Sequence, residues 1–93
     1  MNEDVVKRYE ELSKRDSKAN AIRDEFQKVA SELLKTYVKV RFTIVAKMVA
    51  ERLNVSASYA HNLLYKEYRA GRLPFKIEKQ GNLLVIVKDD ESA

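Results

Sequence analysis

Residues 43–71 read TIVAKMVAERLNVSASYAHNLLYKEYRAG, and the punctuation inside this run decides the fold. Ile44, Met48 and Leu53 recur at helical spacing before a short interruption, Asn54-Val55-Ser56, and helical spacing resumes after it. Thr43 suits the N-cap of the first helix, and Ser56 that of the second. Asn54 tolerates a positive φ better than most residues. Gly71 supplies a C-terminal αL position, with Pro74 just beyond it. Two helices joined by so short a turn describe a helix-turn-helix unit. Val49, Leu53, Val55, Ala60 and Leu63 then form the wedge between the helices, with the small Ala50 where they cross.

The outer face of the second helix is unusual. Solubility alone would ask for Glu and Lys, yet the face holds hydroxyls, an amide and an imidazole. Ser56, Ala57 and Ser58 are short enough for a close approach of the backbone to DNA. Their hydroxyls suit bases or phosphates, and the Ala57 methyl suits a thymine methyl. Asn62 matches the donor–acceptor edge of adenine, and His61 can donate or accept. Tyr59, Tyr65, Lys66 and Arg69 can reach phosphates or more distant bases. Plainer roles compete: Ser56 as a cap only, His61 as an ordinary exposed residue, Tyr65 and especially Tyr68 as packing residues. His61 is the single histidine and has no neighbouring ligands for a metal.

Working outward, residues 38–42, VKVRF, alternate apolar and basic, which fits a short half-buried strand. Lys39, Arg41 and Lys47 stand near the motif's entrance as candidate phosphate contacts, and Arg72 stands after its second helix. Residues 75–88 read FKIEKQGNLLVIVK, two apolar strands around a Gly/Asn turn, hence a β-hairpin. Lys76, Lys79, Gln80 and Asn82 are expected around its turn.

The first 37 residues lack Gly and Pro and read as helical. Val5, Tyr9 and Leu12 share one stripe, and Ile22, Phe26, Val29, Leu33 and Tyr37 share another. The phase breaks at KRDSKAN, where Asp16 or Ser17 can cap, so two helices near 3–15 and 18–36 are expected rather than one rod. The second stripe feeds the core. Val5, Val6, Tyr9 and Leu12 remain free for a partner helix, and a symmetric dimer is the natural outcome. Folding back on the same domain and binding another protein are the alternatives. The expected organisation is an N-terminal dimerisation helix over 1–17, a DNA-binding domain over 18–88 and an acidic tail over 89–93. Periodicity alone makes this an α+β domain, helices packed beside a small antiparallel sheet.

Charge is partitioned along the chain. Residues 1–35 hold eight Lys/Arg and eight Asp/Glu, whereas residues 36–88 hold ten Lys/Arg against Glu51, Glu67 and Glu78. A basic half after a neutral one suggests a polyanionic partner. With no Cys, one His, no Gly-rich phosphate loop and no acidic pair in a plausible pocket, nothing can be assigned as nucleophile, base, metal ligand or cofactor site. An enzyme is not expected. No apolar run approaches the roughly 20 residues of a bilayer span, and MNEDVVKRYEEL is too polar for a secretory signal. A soluble, cytoplasmic protein is expected.

The strand ahead of the motif, the motif's apolar spacing and turn, and the trailing hairpin together resemble the winged helix-turn-helix family. The likeness covers residues 38–88 and one N-terminal helix, and it departs at Asn54, where many such motifs have glycine. It implies a winged helix-turn-helix with a helical extension, the hairpin lying along the DNA backbone or in the minor groove. The short basic chain also looks like the AspA-type centromere-binding proteins of archaeal plasmid partition. That likeness implies site-specific binding to double-stranded plasmid DNA, spreading along it, and contact with a ParB-like adaptor linked to a ParA-type ATPase. A repressor at a short palindrome and a helical protein–protein adaptor are the competing functions.

Overall fold

The computed structural model describes residues 3–88. Its elements run α1 (Glu3–Leu33), β1 (Lys39–Arg41), α2 (Phe42–Leu53), α3 (Ala57–Arg69), β2 (Lys76–Gln80) and β3 (Leu83–Val87). The fold is α+β, three helices against one antiparallel sheet of order β1-β3-β2. Register pairs Val40 with Ile86 and Ile77 with Ile86, so one row of apolar residues crosses all three strands toward the helices. This arrangement is consistent with a winged helix. The expected acidic tail, 89–93, lies outside the described residues.

The core forms where three helical stripes meet that row. Ile22, Phe26 and Ala30 of α1, Phe42, Val45 and Val49 of α2, and Ala60 and Leu64 of α3 are all fully buried, with Ile86 beneath them. Each large side chain so buried contributes roughly 1.5–3 kcal/mol. Phe26 is the aromatic hub, its ring centroid 5.6 Å from Phe42 and 5.9 Å from Phe75. The motif's wedge is in place: Val49, Ala50 and Ala60 are buried, while Leu53, Val55 and Leu63 pack on the cluster.

Both turns that orient α3 use left-handed residues as the sequence suggests. Asn54 adopts φ 55° and ψ 47° after α2. The Val55 N–H returns to the Ala50 carbonyl and the Asn54 N–H to that of Glu51, the Schellman pattern. Ser56 Oγ accepts from the Tyr59 N–H at 3.0 Å and caps α3. Gly71, at φ 71°, ends α3 with the same two-bond pattern, Gly71 to Tyr68 and Arg72 to Glu67. Gly81, at φ 64°, opens the two-residue hairpin loop between Gln80 and Leu83.

Four expectations need correction. First, residues 3–33 form one helix, with no break at Asp16 or Ser17. With no Gly or Pro in the stretch, nothing stops propagation, and those two side chains simply face solvent. The phase break is therefore a change of covered face rather than a change of element. Second, α2 begins at Phe42, with Arg41 as an N-cap that makes no side-chain capping bond. Phe42 is taken into the core by the helix, not by the strand, so Thr43 is not the cap. Third, the buried stripe of α2 runs Phe42, Val45, Ala46, Val49, Ala50, which leaves Ile44 exposed. Fourth, Tyr37 falls beyond the end of α1 in the following turn and is exposed.

Candidate nucleic-acid interface

Burying Ala60 and Leu64 turns the opposite face of α3 outward, with Ser58, Asn62, Lys66 and Arg69 all exposed, and Ala57 is exposed where the helix begins. Ser58, His61 and Asn62 line a shallow hollow of about 280 Å³ with Ala57, and Thr43, Ala46 and Lys47 of α2 close its other side. Four of the five expected base-reading residues thus share one depression, and Lys47 supplies its positive charge. Ser56 sits just outside it, its Oγ already accepting the capping bond.

His61 is not an ordinary surface residue. Its ring meets the edge of Phe42 at 5.8 Å and stacks on Tyr65 at 6.1 Å, 15° from parallel. Arg69 lies with Cζ 6.0 Å above the Tyr65 ring. His61, Tyr65 and Arg69 thus form one i, i+4, i+8 ladder beside Asn62. Tyr68 lies behind it, half-buried against Tyr65 and Phe42, a packing role.

The expected phosphate contacts divide into free and engaged groups. Lys39, Arg41, Lys47, Lys66 and Lys79 are exposed and make no ion pair among the described residues. Arg72 is engaged: its Nε donates to the Glu67 carboxylate at 2.5 Å. Lys76 is not at the hairpin turn. It lies at the opposite end, across from Val87, with Nζ 3.7 Å from Glu78. Lys79, Gln80 and Asn82 do sit at the turn and are exposed.

Glu67 is the residue that sequence reasoning misses. It is the one buried charged side chain among the described residues, and it accepts from Arg23 of α1 as well as Arg72. Arg23 also meets Asn20. The hydrogen bond from Arg72 chiefly holds the Glu67 carboxyl below its ordinary value of 4.5, with Arg23 adding to it against the opposing effect of burial. This triad ties the back of α3 to α1. The signal that could find it is spacing, because position 67 follows Ala60 and Leu64 on the inward stripe.

The expected dimer contacts, Val5, Val6, Tyr9 and Leu12, are exposed at 63%, 45%, 72% and 43%. From Glu3 to Leu12 every residue of α1 is exposed, so this part of the helix stands clear of the domain. No helix among the described residues is long and apolar enough to cross a membrane. No protein-family model, curated protein or solved structure matches the chain.

Proposed function

We propose that the chain is a site-specific double-stranded DNA-binding protein that works as a winged helix-turn-helix dimer. The observation that carries this reading is the outward face of α3: Ser58, His61 and Asn62 share one depression with Lys47, and unpaired cations flank it. Such a helix fits the major groove, where an amide, an imidazole and hydroxyls discriminate base edges. The β2–β3 hairpin serves as the wing, with Lys79 and Asn82 toward the backbone. Val5, Val6, Tyr9 and Leu12 bring two copies together, giving two reading helices for a palindrome. On the likeness to centromere-binding proteins, the role is plasmid partition, in which bound protein spreads from its site.

Footprinting on DNA of the chain's own replicon, over rising protein concentration, tests each layer. Protection extending from a first site into flanking DNA is expected. Protection confined to one short palindrome would replace partition with repression. Absence of salt-sensitive duplex binding would remove DNA binding altogether and leave the adaptor reading, which the exposed apolar stripe of α1 favours.

A further inference from the structure

On its other side, the first turn of α3 borders a second depression, of about 620 Å³, lined by Arg15 and Lys18 of α1 with Asn54, Val55, Ser56 and Tyr59. A third hollow shares Asn54 and Val55 with it, and shares Lys47 and Ala57 with the one beside Asn62. The three adjoin through these shared residues, and the groove they outline around the start of α3 runs from Lys47 to Arg15.

The positions of Arg15 and Lys18 are telling. At 3.6 residues per turn, both continue the face of α1 that carries Ile22 and Phe26. The apolar stripe gives way to cations where the helix passes the turn between α2 and α3. Neither cation has an ion-pair partner among the described residues, a state they share with Lys7, Lys14 and Lys28 of the same helix, whereas Arg8 and Arg23 are paired. What sets Arg15 and Lys18 apart is their place beside the start of α3. Glu11, one turn before Arg15, is engaged by Arg8. The carboxylate that lines the groove is Glu51, in its middle section, so the positive potential is concentrated at the two ends.

We infer that Arg15 and Lys18 form a second phosphate-binding site, gripping the backbone of the duplex that α3 reads, on the α1 side of that helix. The inference rests on the DNA-binding reading above. Charge complementarity and position beside the first turn of α3 both specify the occupant: a phosphodiester flanking the groove in which α3 lies. Ser56 and Tyr59 line the Arg15 end, and Asn54 and Val55 are shared with the middle section. The long helix thereby joins DNA contact to the arm proposed for dimerisation.

The test is a salt titration of binding to a random-sequence duplex, comparing the full chain with an Arg15→Gln, Lys18→Gln variant. Gln is close to Arg and Lys in helix propensity, so thermal melts should coincide. The slope of log K against log salt is expected to become shallower by about 0.9 for each phosphate left unneutralised, about 1.8 per protomer. A Lys28→Gln, Lys35→Gln variant removes the same charge near the C-terminal end of α1 and in the turn after it, and should keep the original slope. An unchanged slope in the first variant, or an equal change in the second, overturns the site while leaving DNA binding intact. A wild-type chain that shows no salt-dependent duplex binding overturns the DNA reading and this site with it.

Discussion

Two helices leave a face uncovered, and the faces differ in kind. α1 exposes Val5, Val6, Tyr9 and Leu12, whereas α3 exposes Ser58, Asn62, Lys66 and Arg69. Each helix is anchored by an apolar stripe, so the remaining face is what sets its further use. Apolar side chains gain roughly 1.5–3 kcal/mol each from burial, with little dependence on salt. Hydrogen bonds gain only about 1 kcal/mol net, and cations facing phosphate are strongly screened. Self-association through α1 should therefore persist in salt that abolishes binding through α3.

The largest effect should come from charging the apolar face. Tyr9→Glu with Leu12→Glu is expected to halve the mass found by sedimentation while leaving the helical circular dichroism intact. Losing one of two linked reading helices should weaken binding to a palindrome by about 10²–10⁴-fold. A double variant that stays dimeric would remove the α1 arm as the interface.

Next comes the tie between the two helices. Glu67→Gln replaces two charge-assisted bonds to Arg23 and Arg72, and should cost about 2–3 kcal/mol of stability in denaturant melts. Because the carboxyl is held below its ordinary value of 4.5, its contribution is complete above that pH and fades as pH falls through the lowered value. Wild type and variant should thus converge in stability on acidification below about 4.5. Parallel pH profiles would show that the buried carboxylate does not contribute in this way.

Legibility in the sequence follows how local the cause is. Asn54, Ser56, Gly71 and Gly81 act through their own backbone or a neighbour three residues away, and the three turns they make can be read. The same holds for the stripe through Ile22, Phe26 and Val29, whereas of the alternation expected over 38–42 only Val40 faces inward from β1: Val38 is exposed and Phe42 is buried by α2. Three-dimensional causes are not readable. The shift from the Tyr9 stripe to the Phe26 stripe, about 100° around the axis, looks the same in sequence whether a helix breaks or changes partners. The salt bridge between Arg23 and Glu67 spans 44 positions, so neither residue announces the other. Part of the α3 site is legible because its residue types are odd for a solvated face. The packing of His61 between Phe42 and Tyr65 is not, since it depends on where α2 begins.

On the polar face, Asn62→Ala should lower affinity for the preferred site by about 2 kcal/mol, roughly 30-fold, with little change on random duplex. The expected readout is a fall in the ratio of the two constants at fixed salt. Equal losses on both duplexes would mean that Asn62 meets phosphate, and that α3 holds DNA without reading at that position.

The smallest effect belongs to Asn54, which sets the angle at which α3 leaves α2. Its φ of 55° lies where an L side chain without a compensating polar group is strained. Asn54→Ala should therefore lose about 1 kcal/mol of stability, while Asn54→Gly, free of that strain, should match or slightly exceed wild type. Because Gly can hold the same backbone, its variant should bind DNA like wild type, which separates the angle of α3 from the chemistry of the side chain. If Asn54→Gly weakened binding without loss of stability, the amide itself would touch DNA, and the reading face would extend past Ser56 into the groove beside Arg15.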